Sequence, residues 1–259
     1  MSHLRNKTAI VTGSSQGIGK AIAAHFTEQG ANVIVNSRTL ERAEAAATKI
    51  AEETDGRTVP VAADVTDEAA MSALVETTVE EFGELDVMVN NAGITTIGPA
   101  EAFDVDEFRR IVDVNLTGTF IGSKVAGNRF IDQGEGGAIL NVSSLMSSRG
   151  LHKRSPYSSS KAGVNNLTRT LAVEWAEHDI HVNALAPGYI RTEITEQSQG
   201  SAGYTDDDVR DRTPLGRFGT PQEMAECAEF LTAGNNFVTG EVLYADGGWK
   251  AYAWGAGDQ

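Results

Sequence analysis

A tyrosine and a lysine four residues apart, Tyr157 and Lys161, are the side chains in this sequence with the clearest chemical potential. They begin a stretch that reads as a helix to about Trp175, and residues four apart lie on one helical face. A phenol has a pKa of roughly 10 and is a poor base at neutral pH. We expect Lys161 to lower the pKa of Tyr157 and make it a usable proton donor and acceptor. An ordinary helix with an exposed lysine has the same spacing, so the pair alone does not define a site.

A glycine-rich turn near the start of the chain predicts a dinucleotide site. The segment Gly13-Ser14-Ser15-Gln16-Gly17-Ile18-Gly19 joins an apolar strand to an amphipathic helix, whose N-terminal N–H groups favour a pyrophosphate. We expect Gly13 to permit the turn, Gly17 to permit close approach of the backbone, and Gly19 to permit close helix packing. A plain glycine-rich connection is the alternative, since the spacing is not G-x-G-x-x-G. The predicted cofactor contacts here are Gly13, Ser15, Gln16, Gly17, Ile18 and Gly19.

The end of the second predicted strand bears on which nicotinamide cofactor fits. A carboxylate there selects the ribose 2′-hydroxyl of NAD, whereas an arginine accommodates the 2′-phosphate of NADP. This chain has Ser37-Arg38, which favours NADP(H) over NAD(H), unless Arg38 stacks on the adenine or points to solvent. Asp64-Val65 is expected near the adenine edge, and the turn Asn90-Asn91-Ala92-Gly93 against the cofactor.

Apolar strands alternate with helices along the chain. The predicted strands are 7–12, 32–36, 58–63, 85–90, 137–143, 180–186 and 241–246. The predicted helices run from the glycine turn to near Gly30, from Leu40 to about Glu53, from Asp67 as N-cap to Phe82, over 104–132, and onward from Tyr157. This order indicates an α/β fold, with a doubly wound parallel sheet covered on both faces, in a single domain over 1–259.

Composition argues against several kinds of partner. The 259 residues carry a formal net charge of −15, which disfavours nucleic acid and anionic membranes as partners. The sequence has no apolar run of membrane-spanning length and no signal-peptide region at its start, so we expect a cytoplasmic protein with a small-molecule substrate. The single cysteine, Cys227, has no metal-ligand spacing and lies in a helical apolar pattern that predicts a core thiol.

An ordered set of motifs resembles the short-chain dehydrogenase/reductase family. The set is Thr12-Gly13-x-x-x-Gly17-x-Gly19, Asn90-Asn91-Ala92-Gly93, Asn115, Ser144, Tyr157-x-x-x-Lys161 and Pro187-Gly188. The resemblance covers residues 5–248. It implies a Rossmann-like domain with a seven-stranded parallel sheet, an NAD(P)-dependent oxidoreductase acting on CH–OH groups, and a homo-oligomer, with a tetramer favoured.

The resemblance also implies a role for each motif position. Tyr157 would be the acid or base, and Lys161 would lower its pKa and hold the nicotinamide ribose. Ser144 would hydrogen-bond the substrate carbonyl oxygen, with Ser143 as its rival, and Asn115 would fix a water that extends a proton relay from Lys161. The residues implied to border the nicotinamide are Pro187, Gly188, Ile190 and Thr192. A hydroxyl and a phenol aimed at one oxygen would stabilise the charge that develops there during hydride transfer.

The segment between Ser144 and Tyr157 is where the resemblance places the substrate pocket. Arg154 could bind a substrate carboxylate with its planar guanidinium, although a solvated basic cluster or a subunit contact is the alternative. The surroundings of Met146 and of Ser155-Pro156-Tyr157 resemble gluconate 5-dehydrogenase-like sugar or sugar-acid dehydrogenases. The predicted substrate contacts are therefore Ser144, Met146, Arg154 and Tyr157.

Two segments near the C-terminus have predicted roles. The long segment 189–213 is expected to be a lid that orders when cofactor and substrate bind. The tail 249–259, with Trp249 and Trp254, is expected at a subunit interface, or as a frayed terminus.

Three functions fit the sequence. The first is an NADP(H)-preferring dehydrogenase of a sugar, polyol or sugar acid. The second is a 3-oxoacyl-carrier-protein reductase, which needs a basic patch for its acidic carrier; segment 128–135, with one arginine and two acids, disfavours it. The third is a dinucleotide-binding protein without turnover, against which the intact set Asn115, Ser144, Tyr157 and Lys161 argues.

Overall fold

Seven parallel strands form one sheet in the protein, which we describe from a computed structural model. The structure describes residues 2–54, 56–192, 205–234 and 236–252. The strands are β1 Thr8–Val11, β2 Asn32–Ser37, β3 Thr58–Ala62, β4 Val87–Asn90, β5 Gly137–Val142, β6 Ile180–Pro187 and β7 Val242–Ala245. Their order is β3-β2-β1-β4-β5-β6-β7, so the strand order reverses between β1 and β4, where a ligand crevice is expected.

Helices follow most of the strands. They are α1 Gly17–Glu28, α2 Leu40–Glu53, α3 Glu68–Phe82, α4 Val105–Val112, α5 Gly118–Gln133, α6 Ser155–Glu174, α7 Asp206–Arg212 and α8 Pro221–Thr232. Short 3₁₀ helices occupy Ala100–Ala102, Leu145–Ser147 and Ala176–His178. A membrane-crossing helix, one long and apolar enough to span a bilayer, is not found in the described part of the chain.

The structure confirms the predicted α/β fold and its seven parallel strands, with two local differences. The predicted helix over 104–132 is divided into α4 and α5 by a π-helical turn, Asp113–Thr117. The helix that carries Tyr157 begins two residues earlier, at Ser155, because Pro156 suits the first turn of a helix.

The alternation of side chains along the central strands builds two apolar layers. Ala9 and Val11 of β1 face the layer that contains α1, α2 and α8, whereas Ile10 faces the layer that contains α3 and α5. Both faces of the sheet are therefore covered, as the uninterrupted apolar strands predict. Cys227 on α8 packs against the first layer but is only partly buried, so the thiol lies at the edge of the core and not within it as predicted.

A chain of buried amides and hydroxyls joins the elements that carry the site. Asn90 at the end of β4 donates to Asn141 of β5 at 2.9 Å and to Ser123 of α5 at 3.0 Å. Asn141 donates in turn to Thr168 of α6 at 3.0 Å. A Cβ at Gly122 would lie 2.1 Å from the Asn90 side-chain oxygen, so glycine lets α5 approach β4 this closely. The network fixes α5 and α6 relative to the sheet because unpaired buried polar groups are costly.

The N-cap of α3 offers a test of how these helices are initiated. Asp67 accepts hydrogen bonds from the N–H groups of Ala69 at 2.9 Å and Ala70 at 3.2 Å, whereas Thr39, the N-cap of α2, makes no side-chain capping bond. We expect Asp67→Ala to lower the free energy of unfolding by about 1 kcal/mol, and the control Thr39→Ala to change it by less than about 0.5 kcal/mol. Urea unfolding measures both, and equal losses would show that the capping bonds are not the cause.

Candidate active site

The predicted cofactor residues meet at the carboxyl edge of the sheet, around the crevice between β1 and β4. They line one cavity of about 630 Å³. The residues found in its wall are Gly13, Ser15, Gln16, Gly17, Ile18, Gly19, Ser37, Arg38, Asp64, Val65, Asn91, Ala92, Gly93, Tyr157, Lys161, Pro187, Gly188, Ile190 and Thr192. Sequence reasoning did not assign eight further lining residues, which are Asn36, Arg42, Ala63, Ile94, Thr95, Arg110, Val114 and Val142.

Two glycines bring the turn after β1 against the turn after β4. Gly13 has a φ of +61°, and a Cβ there would lie 2.9 Å from the Cα of Ala92. A Cβ at Gly19 would lie 2.3 Å from the side-chain nitrogen of Asn91. Gly13 thus permits the turn as expected, whereas Gly19 makes room for Asn91 rather than for helix packing.

Hydrogen bonds between Thr12 and Asn91 close the same two turns. The Asn91 amide donates to the carbonyl oxygens of Thr12 at 2.9 Å and Gly13 at 3.1 Å. The Thr12 hydroxyl oxygen accepts from the N–H groups of Asn91 at 3.0 Å and Ala92 at 3.2 Å. The polar groups at the ends of β1 and β4 therefore satisfy each other's hydrogen-bonding capacity. The N–H groups at the start of α1 remain available to a ligand.

The N-terminus of α1 fits a pyrophosphate. Its N-cap residue, Gln16, makes no side-chain capping bond, and Ser15, Gln16 and Gly17 line the cavity. The first N–H groups of a helix need an acceptor, and the positive end of the helix dipole favours an anion. Pyrophosphate binding by the glycine-rich turn itself stays a prediction.

Two arginines lie at the end of the cavity beside β2. Arg38 and Arg42 are both exposed and both line the wall, next to the buried Ser37. Hydrogen bonds from Thr66 hold the pKa of Asp64 below its usual value, and the charge of Arg38 contributes to the same lowering. Arg38 therefore acts electrostatically on a residue across the cavity. The four-residue spacing from Arg38 to Arg42 was the signal that would have identified the second arginine.

Tyr157 and Lys161 lie together, but their electrostatics differ from the expectation. The Lys161 nitrogen is 5.8 Å from the centroid of the Tyr157 ring and donates to the carbonyl oxygen of Val142 at 2.7 Å. Burial raises the pKa of Tyr157, against the smaller lowering effects of a hydrogen bond with Ser144 and the charge of Arg154. Burial also lowers the pKa of Lys161 to about 8. The expected lowering of the Tyr157 pKa by Lys161 is therefore wrong for the protein without ligands.

The structure distinguishes the two candidate serines. Ser144 lines the cavity with Tyr157, close enough to lower the pKa of that phenol, and its hydroxyl oxygen accepts only from the Met146 N–H among the described residues. Ser143 points elsewhere, because its hydroxyl donates to the Asn165 side-chain oxygen at 2.5 Å and lies 3.3 Å from the carbonyl oxygen of Lys161. The Ser143 hydroxyl is thus already engaged, whereas the role of Ser144 toward a substrate oxygen stays a prediction.

A polar cluster that sequence reasoning missed supports the segment after Ser144. The Asn165 amide donates to the Ser147 hydroxyl at 2.7 Å and to the Tyr244 hydroxyl at 3.1 Å. The Lys250 nitrogen lies 3.4 Å from the centroid of the Tyr244 ring. Burial raises the pKa of Tyr244, but hydrogen bonds, first that with Ser147, and the Lys250 charge leave it below its ordinary value. Helix α6 and strand β7 thereby hold the short 3₁₀ helix that Ser144 caps.

Asn115 is fully buried in the π-helical turn and does not line the cavity. Its amide donates to the Ile94 carbonyl oxygen at 2.9 Å and to the Ser160 hydroxyl at 3.1 Å, and accepts from the Ile94 N–H at 2.8 Å. A Cβ at Gly93 would lie 3.3 Å from the Asn115 side-chain oxygen and 3.5 Å from the Lys161 nitrogen. Asn115 therefore fixes the segment after Gly93 beside Lys161, and its role toward a water stays a prediction.

Two predicted substrate residues, Met146 and Arg154, lie outside the cavity wall. Met146 is half-buried, and its N–H donates to the Ser144 hydroxyl oxygen at 3.2 Å. Arg154 is the N-cap residue of α6 and is 7% exposed, which excludes the solvated surface cluster considered from the sequence.

The predicted lid and tail are described only in part. Residues 193–204 and 253–259, with Trp254, lie outside the described residues. Within 189–213 the chain forms α7, which the sequence did not predict. Trp249 is buried, its ring centroid lies 6.5 Å from that of Tyr189, and the Arg212 guanidinium lies 4.4 Å above the Trp249 ring. The start of the tail is therefore packed rather than frayed.

Known proteins resemble this chain over nearly its whole length. Residues 13–250 match a family model described as Enoyl-(Acyl carrier protein) reductase. Glucose 1-dehydrogenase 2 of Bacillus subtilis is 39% identical, over 96% of this chain and 96% of the relative. The 3beta-hydroxysteroid dehydrogenase 1 of Eggerthella lenta is 38% identical, over 96% of this chain and 95% of the relative.

A solved structure supports the same relationship. Gluconate 5-dehydrogenase from Burkholderia cenocepacia J2315, crystallised with NADP and tartrate, has a TM-score of 0.90 at 32% identity, over 97% of this chain and 99% of that one. Fold and site together define an oxidoreductase that binds a nicotinamide dinucleotide and acts on CH–OH groups. The chain belongs to the short-chain dehydrogenase/reductase family.

The lowered pKa of Lys161 predicts a pH dependence of stability. The folded protein binds this proton more weakly than the unfolded chain does, since the pKa falls from 10.5 to about 8. The cost of holding Lys161 charged is fully present below pH 8 and is relieved as the pH rises to 10.5. The stability of the wild type relative to Lys161→Met should therefore rise by about 3 kcal/mol across that window.

Urea unfolding at a series of pH values measures this difference. Lys124→Met removes an exposed lysine and shows how much of the pH dependence accompanies the loss of any lysine. A constant difference between the wild type and Lys161→Met would mean that Lys161 is not strongly desolvated.

Proposed function

We propose that the protein is an NADP(H)-preferring dehydrogenase that interconverts a secondary alcohol and a ketone of a sugar, polyol or sugar acid. The meeting of Ser144, Tyr157 and Lys161 in the wall of the 630 Å³ cavity carries the proposal. A hydroxyl and a phenol that meet there can bind one substrate oxygen and exchange its proton.

Tyr157 is the proposed acid and base. During alcohol oxidation it takes the hydroxyl proton, and during ketone reduction it returns the proton to the same oxygen. Ser144 donates a hydrogen bond to that oxygen as charge develops. Lys161 supplies a positive charge next to Tyr157 and is held there by the carbonyl of Val142.

The dinucleotide would be held by residues that line the cavity. The start of α1 would bind its pyrophosphate, and Lys161 would bind the nicotinamide ribose. The pocket around Pro187, Gly188 and Thr192 would hold the nicotinamide, which accepts or donates the hydride when bound. Asn115 fixes the neighbouring segment through Ile94, and we propose that it also orients a water in the proton path to Lys161.

The preference for NADP(H) rests on the two arginines beside β2. Arg38 and Arg42 place two positive charges at the wall where the adenosine ribose is expected, and Ser37-Arg38 at the end of β2 offers no carboxylate to bind a free 2′-hydroxyl. The structurally similar gluconate 5-dehydrogenase was crystallised with NADP, which is consistent with this preference.

A hydroxylated substrate suits the polar wall around the reacting groups. Thr95, Ser144 and Thr192 contribute hydroxyls to the cavity, which favours a polyhydroxylated substrate over a steroid such as that named for the Eggerthella relative. A substrate tethered to a carrier protein is disfavoured because segment 128–135 lacks a basic patch. We also propose a cytoplasmic homo-oligomer, with exposed Phe108, Phe120 and Val173 as apolar surface for subunit contact.

Turnover with a substrate panel tests the function. We expect NADP reduction, followed by absorbance of the reduced nicotinamide, with sugars, polyols or sugar acids.

Tyr157→Phe should lower kcat by about 10²- to 10⁴-fold while NADP binding is retained. Ser144→Ala should lower kcat, with Ser143→Ala as the matched control. A panel without turnover, but with reduction of acetoacetyl thioesters, would favour the carrier-protein reductase; full activity in Tyr157→Phe would remove the mechanism.

Cofactor preference is a separate prediction. Arg38→Gln should weaken NADP binding roughly 10- to 100-fold, because charge-assisted hydrogen bonds to the 2′-phosphate are lost, and should leave NAD binding nearly unchanged. Fluorescence titration with both dinucleotides measures the effect. Arg57→Gln, which removes an exposed arginine paired with Glu81 outside the cavity wall, is the control. Equal weakening of both dinucleotides by Arg38→Gln would contradict phosphate recognition.

A further inference from the structure

We propose that Arg154, together with the Ser158 hydroxyl, forms a binding site for a substrate carboxylate next to Tyr157. The inference rests on the proposed function and narrows it from sugars, polyols and sugar acids to the carboxylated members of that class.

Arg154 is a largely buried residue that carries a charge without a counter-ion in the described part of the chain. The residue is 7% exposed, and among the described residues its side chain has neither a hydrogen-bond acceptor nor an ion-pair partner. The cost of burying a charge is large unless the charge is paired. A protein with a formal net charge of −15 has many carboxylates, yet none of those in the described residues pairs with this arginine. A bound anion would complete the site.

A second group without a partner lies one helical turn away. The Ser158 hydroxyl is buried and has no hydrogen-bond partner in the described part of the chain. A helical serine often donates a hydrogen bond to the carbonyl oxygen four residues earlier, here that of Arg154, but the Ser158 hydroxyl makes no such bond. Residues four apart lie on one helical face, so the guanidinium and this hydroxyl can share one anion.

The site lies on the same face of α6 as the reacting groups. At 3.6 residues per turn, Arg154, Tyr157, Ser158 and Lys161 fall within an arc of about 100° around the helix. The charge of Arg154 is close enough to Tyr157 to lower the pKa of its phenol. Arg154 therefore acts on the reacting phenol and is also available to a substrate bound there.

The contacts at the start of α6 put Arg154 on the side of Tyr157 where the substrate, and not the cofactor, is expected. The Lys153 carbonyl oxygen accepts from the Gly98 N–H at 3.2 Å, which joins the start of α6 to the segment after β4. Ile94 and Thr95 of that segment line the cavity, whereas Arg154 lies outside its wall. The carboxylate would thus extend away from the dinucleotide, on the far side of Tyr157.

Carboxylate is the anion that fits a dehydrogenase substrate at this position. A planar guanidinium presents parallel N–H donors that match two carboxylate oxygens, and a hydroxyl can add a third hydrogen bond. A sugar acid carries this group on the same chain as the secondary alcohols. A neutral polyol of equal length has a hydroxymethyl group there and leaves Arg154 uncompensated.

Kinetics with D-gluconate and its neutral counterpart D-glucitol test the site. Arg154→Gln should raise KM for D-gluconate roughly 10- to 100-fold, the loss expected for a charge-assisted pair. The KM values of this variant for D-glucitol and for NADP should stay within about 3-fold of those of the wild type, since neither compound uses the site. Arg154→Lys should restore part of the D-gluconate affinity, because it keeps the charge but not the planar fork.

Two features keep this experiment specific. Each variant is compared at the plateau of its own pH profile. Loss of Arg154 also raises the pKa of Tyr157 and so moves the acidic limb of alcohol oxidation, on which the rate rises as the phenol ionises, to higher pH. Lys153→Asn is the control, since it removes an adjacent exposed charge at a φ of +60°, which asparagine tolerates. That control should behave as the wild type.

The outcomes separate this inference from the proposed function. An unchanged KM for D-gluconate in Arg154→Gln, or equal losses with both substrates, would overturn the carboxylate site while the dehydrogenase remains. If the wild type oxidises neither compound, thermal denaturation with NADPH and D-gluconate decides. A stabilisation by D-gluconate that Arg154→Gln abolishes would support the site, and its absence in the wild type would overturn it.

Discussion

The site depends on how the turns that follow two neighbouring parallel strands, β1 and β4, are held against each other. Where β1 and β4 end, the strand order reverses, and the backbone groups of both turns must find partners without blocking the crevice. Thr12 and Asn91 provide them through four hydrogen bonds. Gly13 and Gly19 remove the Cβ atoms that would keep the turns apart. The start of α1 consequently stays open to a pyrophosphate, and the remaining elements are arranged around that opening.

The reacting end of the cleft combines burial with positive charge. Lys161 is buried with a carbonyl oxygen as hydrogen-bond acceptor, so its pKa falls to about 8. Arg154 is buried as well, and between them lies Tyr157, whose pKa is raised by burial. On the proposed function, ligands would supply the missing charge balance: an anionic substrate would compensate the cations, and the oxidised nicotinamide would favour the phenolate. The site is therefore matched to the liganded state at some cost to the free one.

The sequence predicted the fold and the cofactor wall far better than the electrostatics. Apolar strands, caps such as Asp67 and the order of motifs are local signals, so they can be recognised in the sequence alone. The pKa of Tyr157 depends on where the Lys161 ammonium points and on how much water remains, and neither can be read from a four-residue spacing. Asn165 and Tyr244 were missed for a similar reason, because they support the segment after Ser144 from distant parts of the chain.

The π-helical turn has a consequence for how the helical run from Val105 to Gln133 can change. An inserted residue in a helix advances everything after it by about 100° around the axis. The π-helical turn therefore changes which sequence positions face inward. As a result, the surface of α4 and the buried stripe of α5 can pack against different neighbours. Deleting one residue within Asp113–Thr117 would not simply shorten the run. It would remove the wide turn that carries Asn115 and break its hydrogen bonds to Ile94, so length in this segment is as constrained as composition.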